Sequence, residues 1–256
     1  MLHSGKRDVC MKASAIEFRL RMVIMVAIVV LGVWSPWIEA WSLGSRNSLL
    51  EWLALEVSRL GLLRFSFATP AVIILGALIA ALGAILRVWG AAYLGYGTVH
   101  HARMQAGAVM ADGPYRNVRN PLYIGGWCMM AAMSFVMPAT GALFAMALLT
   151  LFLLRLILSE EAFLAGQLGE PYREYLRAVP RLFPRLGRGL PPAGHKPHWM
   201  IALLTELNPI GVFITVAFLS WSYNNVLMLK GILISFGASL VVRALMPREH
   251  ASPDPV

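Results

Sequence analysis

The chain has 256 residues, of which 58% are hydrophobic and 14% are charged, and its formal net charge is +9. A soluble domain carries about 25% charged residues, so this composition excludes an ordinary soluble protein and indicates an integral membrane protein. Backbone hydrogen bonds must be satisfied inside lipid, and no segment alternates with a period of two, so the apolar runs predict helices. We expect an all-α, polytopic membrane helical bundle with about six transmembrane helices.

The N-terminal part predicts two spans separated by a surface helix. The chain begins with a basic segment followed by an apolar one, which resembles a signal peptide. It has no small-x-small cleavage site, so we interpret residues 22–41 as a retained first span. Four charges interrupt residues 48–64, which favours an amphipathic interfacial helix or, alternatively, a substrate gate. The second span is predicted at residues 70–94. Arg87 lies near its inner end, where it is either a functional residue or one that reaches the headgroups.

A short helical hairpin is predicted next. Residues 120–154 contain no charged residue, and at about 1.5 Å per residue this run is too long for one span. The Met137-Pro138-Ala139-Thr140-Gly141 group supplies a break. The third span then covers residues 121–137, and the fourth follows the break and ends near Glu160.

The C-terminal part predicts a linker and a second pair of spans. Residues 181–197 are rich in proline, glycine and basic residues, which is typical of a linker. Residues 199–221 and 226–245 are predicted as the fifth and sixth spans. The chain is thus divided into three parts: residues 1–69 (tail, first span and interfacial helix), 70–186 (core) and 187–256 (linker and two-span extension).

The basic residues are concentrated in the N-terminal tail and in the connections after the second and fourth spans. With six spans, all three regions lie on one side, which the positive-inside rule makes cytoplasmic. We therefore expect a multi-pass protein of a bacterial inner membrane with both termini in the cytoplasm. The same rule and anionic headgroups explain the positive charge, so no nucleic-acid partner is expected.

Two polar patches flank the hairpin, one at residues 112–126 and one at residues 159–184. Each combines arginines and tyrosines, and the second also contains Glu160 and Glu161. Polar groups beside a span need partners, so we expect the patches to close on each other around a small polar cofactor at the membrane surface.

An alternative for the same residues is purely structural. The two glutamates could form surface salt bridges with Arg116, Arg119 or Arg155, each worth at most about 1 kcal/mol. The tyrosines could be ordinary aromatic residues of the membrane interface.

No metal site is predicted. His100 and His101 are adjacent and have no further ligand residue at suitable spacing. The two cysteines, Cys10 and Cys128, form neither a disulfide framework nor a metal motif.

The two patches also carry a known sequence pattern. It reads Arg116-x-x-Arg119-Asn120-Pro121-x-Tyr123-x-Gly125, then Glu160-Glu161, then Gly169-x-x-Tyr172-x-x-Tyr175-x-x-x-Val179-Pro180. This pattern, over about residues 95–184, resembles the isoprenylcysteine carboxyl methyltransferase and phospholipid methyltransferase superfamily.

The resemblance implies S-adenosylmethionine as methyl donor and a pocket formed by the two patches. Arg119 and Glu161 are the implied catalytic residues. The implied cofactor-binding residues are Tyr115, Asn120, Pro121, Tyr123, Gly125, Glu160, Glu161, Tyr172 and Tyr175. Asn120 stands where the superfamily has histidine; an asparagine can bind but cannot titrate near neutral pH, which argues against a proton shuttle at that position.

The expected function is S-adenosylmethionine-dependent methyl transfer at the cytoplasmic membrane face. The acceptor is a lipid or lipidated small molecule, either a prenylcysteine-like carboxylate or a phospholipid amine. Two alternatives remain open: an NADPH-dependent membrane reductase of the sterol-reductase type, and a catalytically silent membrane scaffold. The sequence leaves the oligomeric state undetermined.

Overall fold

The structure is a computed structural model that describes residues 12–100, 111–185, 190–191, 194–222 and 224–246. Within these ranges every regular element is a helix, which confirms the predicted all-α class. Two residues named in the predictions on metals, Cys10 and His101, lie outside the described residues.

The first predicted span is interrupted. A short helix α1 (Ala15–Arg19) leads into α2 (Arg21–Trp34), and α3 (Trp37–Trp41) follows as a separate turn. Between them Ser35 adopts a left-handed backbone with φ 45° and Pro36 follows directly. The prediction of one helix over residues 22–41 was therefore wrong at its end, because this turn breaks an apolar run that looks continuous.

The interfacial helix and the second span are both present. Helix α4 (Leu49–Arg59) begins with a capping box and buries Leu50 and Ala54, as an amphipathic helix should. Helix α5 (Phe65–His100) starts five residues before Pro70, where the second span was expected to begin. The proline lies inside the helix rather than at its start.

The predicted hairpin is confirmed. Helix α6 (Pro121–Met133) continues as a 3₁₀ turn (Ser134–Val136), and α7 (Ala139–Leu168) follows the break at Pro138. The fourth span does not end near Glu160, because α7 continues for two further turns to Leu168.

The C-terminal part contains a bent pair and a long helix. After α8 (Glu170–Ala178), helices α9 (Trp199–Thr205) and α10 (Leu207–Ile214) are separated by Glu206. The two segments of the predicted fifth span meet there at 67°. Helix α11 (Asn225–Leu245) coincides with the predicted sixth span.

Among the described residues, three helices are long and apolar enough to cross a membrane. A fourth crossing results if the bent pair α9–α10 counts as one span. The remaining two predicted spans correspond to shorter apolar helices, Arg21–Trp34 and Pro121–Val136, which fall below the roughly 20 residues needed to span the hydrocarbon core.

Two apolar clusters hold the bundle together. One packs Ile28 of α2 against Leu149 and Leu156 of α7. The other packs the C-terminal helices against α5, with Val212, Met228, Ile232, Ala80, Ala84 and Met129 as members. As a result α7 lies beside α2, and the C-terminal helices cover the opposite helices α5 and α6.

The N-terminal end of the described chain lies near the second polar patch. The Ala13 amide donates to the Arg155 carbonyl at 3.2 Å, and the Ser159 hydroxyl donates to the Ala13 carbonyl at 3.0 Å. Because Ser159 directly precedes Glu160 and Glu161, the N-terminal segment is held at the polar end of α7.

Candidate functional site

Glu161 is the point at which the two polar patches meet. Its side chain is 7% exposed. The Asn120 amide Nδ2 donates to Glu161 Oε1 at 3.1 Å, and Arg119 Nη1 lies 3.4 Å from Glu161 Oε2. The predicted convergence of these residues is therefore confirmed, with Arg119 and Asn120 just before α6 and Glu161 on α7.

The local backbone explains why Asn120 is available for this contact. Asn120 precedes α6, and Pro121 occupies the first turn of that helix, where a missing N–H costs nothing. The Asn120 side chain makes no capping bond to α6. Its amide instead donates to Glu161 and, at 3.2 Å, to the Arg181 carbonyl, so it joins the two patches.

Arg181 is a site residue that sequence reasoning missed. Its Nε and Nη2 lie 3.0 Å and 2.8 Å from Glu161 Oε2, and its side chain is 41% exposed. Arg181 fell within the second polar patch and at the start of the predicted linker, but it was counted as a topology charge and not named as a site residue. The sequence signal that could have identified Arg181 is its position directly after Val179-Pro180. The Pro180 carbonyl accepts the Arg119 amide at 3.0 Å, which holds the next residue beside the first patch.

The rest of the described linker also packs on the first patch. The His195 amide donates to Asp112 Oδ2 at 2.8 Å, and the His195 ring nitrogen Nδ1 lies 2.7 Å from the same oxygen. The His198 amide donates to the Ala92 carbonyl at 2.7 Å. The described parts of residues 181–197 are thus attached to the core rather than a free connection.

A cleft of about 330 Å³ opens beside this cluster. Glu161 and Arg181 form its polar wall with Lys12, and Leu158 and Leu176 contribute to its apolar wall. Among the described residues, Glu161 is the one predicted site residue that lines this cleft. Asn120 and Arg119 are connected to the cleft through their contacts with Glu161.

Glu160 has a different partner. The Tyr123 hydroxyl donates to Glu160 Oε2 at 2.7 Å, which links α6 to α7. Among the described residues, the contact of Arg119 with Glu161 is the one predicted salt bridge that forms, and it is buried, with 11% and 7% of the two side chains exposed.

Arg116 and Arg155, the other two arginines of the salt-bridge alternative, have other partners. Arg155 pairs with Glu17 at 2.9 Å. Arg116 Nε donates to the Leu190 carbonyl. The alternative of surface salt bridges was therefore wrong for both, because α1 and the linker supply acceptors that the motif does not contain.

Three predicted tyrosines connect α8 to the first patch. The Tyr175 hydroxyl donates to the Tyr115 carbonyl at 2.9 Å, and the Tyr172 and Tyr175 ring centroids are 5.7 Å apart. Burial raises the pKa of each of the three phenols above its ordinary value of 10.0, so all three stay neutral. In this arrangement they hold α8 in place, and their cofactor contacts remain a prediction.

Gly125 faces away from Glu161. A Cβ atom at this position would lie 2.6 Å from Arg87 Cγ and 2.9 Å from the Gly83 carbonyl. Its missing side chain therefore allows α5 to approach α6 closely, and it makes room for Arg87 rather than for a ligand beside Glu161.

Three buried polar atoms of the first patch have no hydrogen-bond partner among the described residues. They are the Tyr115 hydroxyl, Asn117 Oδ1 and Arg119 Nε. Buried polar groups are normally paired, so such a group of unpaired atoms is what a site for a polar ligand would show.

Residues 71–170 of the chain match the family described as phospholipid methyltransferase. The match contains Arg119, Asn120, Tyr123, Glu160 and Glu161, and it agrees with the resemblance seen in the sequence pattern. Together with the membrane-spanning helices it supports a membrane methyltransferase in general.

The match ends at Glu170. It therefore excludes Tyr172, Tyr175 and Arg181 of the site, together with the C-terminal helices α9–α11. No protein of curated function and no solved structure matches the chain.

Proposed function

We propose that the protein transfers a methyl group from S-adenosylmethionine to a lipid or lipidated acceptor at the cytoplasmic face of the membrane. The observation that supports this most is the meeting of Arg119, Asn120 and Glu161 beside a cleft, within a phospholipid methyltransferase domain. Methyltransferases of this family generally use S-adenosylmethionine.

The residues around the cleft fit this cofactor. Ligand pockets have volumes of about 300–1,000 Å³, and this cleft has about 330 Å³. Arg181 and Arg119 suit the carboxylate of the cofactor, and Glu161 suits its ammonium or ribose hydroxyls. The unpartnered Arg119 Nε supplies a further donor. When bound, S-adenosylmethionine supplies a methyl group on a sulfonium.

The side chains of this site act by alignment. Methyl transfer is an in-line displacement, and holding the reactants in register is the largest contribution a protein can make to it. Glu161 is held from two sides, by Asn120 on one oxygen and by two arginines on the other. Arg181 is the most exposed of these partners. We propose that it leaves Glu161 and pairs with the cofactor carboxylate when the cofactor binds.

The acceptor is proposed only as a class. A carboxylate acceptor, such as a prenylcysteine, needs no proton removed, whereas a phospholipid amine must first be deprotonated. Asn120 cannot take that proton. Glu160, which accepts from Tyr123, is the second carboxylate of the site, so an amine acceptor would depend on Glu160.

The orientation is also a proposal. The basic connections predict that the polar end of the bundle faces the cytoplasm, and the N-terminal segment lies at that end beside Arg155 and Ser159. We propose a bacterial inner-membrane protein in which residues 70–186 form the catalytic core, between the N-terminal part and the C-terminal extension.

The test uses the full-length protein purified in non-ionic detergent. S-adenosylhomocysteine should raise its thermal stability and NADPH should not, and labelled S-adenosylmethionine should transfer its label to extracted membrane lipids. Stabilisation by NADPH alone would instead indicate a reductase. No stabilisation by either, with no label transfer, would indicate a silent scaffold.

A further inference from the structure

A second buried charged contact, which does not include Glu161, lies inside the bundle. Arg87 Nε and Nη2 donate to the two carboxylate oxygens of Glu206 at 2.6 Å and 3.0 Å. The Arg87 side chain is 22% exposed and that of Glu206 is 0% exposed. Arg87 belongs to the matched methyltransferase domain, whereas Glu206 belongs to the C-terminal helices outside it.

The Arg87–Glu206 pair involves a membrane-spanning helix, where ionisable side chains are rare. Arg87 lies in a helix that is long and apolar enough to span the bilayer, and Glu206 occupies the break between α9 and α10. Ionisable groups inside a span are costly, and those that occur generally mark a binding or transport site. A second arginine is close, because Arg243 Nη2 donates to the Thr205 carbonyl at 3.0 Å.

Arg87 has hydrogen-bonding capacity left over. A guanidinium carries five N–H groups. Two of them bind Glu206, and one on Nη1 reaches the Leu122 carbonyl at 3.4 Å. The other two have no described partner, and in a bilayer they need an acceptor.

Gly126 leaves the free edge of Arg87 uncovered. A Cβ atom at Gly126 would lie 3.6 Å from Arg87 Nη1, at ordinary contact distance. Because glycine has no side chain, this edge of the guanidinium stays accessible beside α6. Gly125, one residue earlier, accommodates the stem of the same arginine.

A second unsatisfied group lies one turn along α5 from Arg87. The Tyr115 hydroxyl is buried and has no partner among the described residues. A Cβ atom at Gly90, one turn after Arg87 on α5, would lie 3.3 Å from that hydroxyl, and also close to Leu122, whose carbonyl Arg87 contacts. A neutral phenol donor and two guanidinium N–H groups are therefore available in one region of the bundle.

We propose that Arg87, held in place by Glu206, binds the phosphate group of a membrane lipid. The free Nη1 edge over Gly126 is the point of contact, and the Tyr115 hydroxyl is a second donor. A phosphate oxygen satisfies the remaining N–H groups, and a guanidinium binds phosphate in a planar, two-pronged geometry. This site does not depend on methyl transfer, so its failure and that of the proposed function are distinguishable.

The test compares ligands that differ only in the phosphate. Phosphatidic acid, diacylglycerol with the same acyl chains and inorganic phosphate are each added to the detergent-purified, full-length protein. Binding is followed by native mass spectrometry and by thermal stability. We expect phosphatidic acid to bind and stabilise, diacylglycerol to do neither, and inorganic phosphate to compete only at far higher concentration. Equal binding of the two lipids, or binding of inorganic phosphate as tight as that of phosphatidic acid, would overturn the proposal.

Variants locate the site. Gly126→Leu covers the Nη1 edge and should weaken phosphatidic acid binding at least tenfold. Gly237→Leu is the matched control, because Gly237 lies on α11 with open space around it. The double variant Arg87→Met/Glu206→Leu replaces the ion pair by apolar side chains and should also lose the binding, which keeps the test decisive if Gly126→Leu fails to fold.

These substitutions leave the formal net charge of the protein unchanged. A general attraction of anionic lipids to the basic loops would therefore survive in all of them. If phosphatidic acid binds Gly126→Leu and the double variant as it binds the wild type, Arg87 is not the site.

Discussion

Two of the buried glutamates, Glu161 and Glu206, contact arginines in opposite ways. Glu161 lines a cleft and is shared by Asn120, Arg119 and Arg181, whereas Glu206 is fully buried and binds Arg87 through both oxygens. A carboxylate with several partners, one of them exposed, can exchange that partner for a ligand. A carboxylate held by a bidentate arginine cannot exchange its partner in this way. Glu206 therefore fixes the position of Arg87, and the remaining N–H groups of Arg87 are the free donors.

The largest effect should come from breaking the buried pair. Replacing Glu206 alone by leucine leaves Arg87 unpaired and should cost about 3–5 kcal/mol of stability, because an uncompensated buried charge remains. Replacing both partners, as in Arg87→Met/Glu206→Leu, should recover most of that loss. Thermal unfolding in detergent measures both variants. A double variant as unstable as the single one would show that the ion pair itself stabilises the fold.

The next effect concerns ligand binding at the other contact. Glu161→Gln removes a charged acceptor, and since hydrogen bonds to charged groups contribute about 1.5–3 kcal/mol, affinity for S-adenosylhomocysteine should fall about 10- to 100-fold. Calorimetry measures the affinity. Glu170→Gln is the matched control, because Glu170 is exposed and pairs only with Arg173 and Arg177 among the described residues. Equal losses in both variants would remove Glu161 from the site.

Neighbouring glycines test the packing around Arg87. Gly125→Ala places a Cβ atom 2.6 Å from Arg87 Cγ and should destabilise the protein by about 1–3 kcal/mol through overpacking. Gly126→Ala meets nothing closer than 3.6 Å and should change stability little. Thermal unfolding of the two variants side by side gives the answer, and a neutral Gly125→Ala would mean that α5 and α6 are less closely packed than described.

Arg181 should affect binding more than stability. Its side chain is 41% exposed, so its ion pair with Glu161 contributes at most about 1 kcal/mol to folding. If it holds the cofactor carboxylate, Arg181→Gln should weaken S-adenosylhomocysteine binding about tenfold, by the loss of one charged hydrogen bond. Arg177→Gln is the control, because Arg177 of α8 is exposed. A loss of stability without a loss of affinity would make Arg181 purely structural.

The smallest effect is a pH dependence at the N-terminal segment. The hydrogen bond from Arg155 to Glu17 lowers the pKa of Glu17 below its ordinary value of 4.5. A carboxyl with a lowered folded-state pKa stabilises the protein above pH 4.5, and this contribution is lost as pH falls through the folded-state pKa. Glu17→Gln should therefore unfold at a slightly lower temperature than the wild type at pH 7, and the difference should vanish in acid. A difference that persists there would contradict the ionic origin.

The motif residues and the linker show how far sequence reasoning extends. Asn120 and Glu161 were predicted to meet because the motif orders them on either side of a short hairpin, and a hairpin returns the chain to the same end of the bundle. Arg181 was missed because a Pro- and Gly-rich segment gives no periodicity that would place it. The break at Ser35 was missed for a related reason, since hydropathy is continuous across it and the turn depends on one left-handed residue.

By itself the sequence determined the membrane location, the all-helical class, the hairpin and the methyltransferase pattern. The membrane location and the helical class follow from the length of the apolar runs, and the hairpin follows from local turn residues. The methyltransferase pattern follows from the spacing of motif residues over a few neighbouring helices. Only the tertiary structure decided that Glu206 pairs with Arg87, 119 residues away, and that Gly125 faces that arginine instead of the cleft. Such contacts depend on how helices rotate and pack against one another, and a single helix carries little record of which of its faces meets a partner distant in the chain.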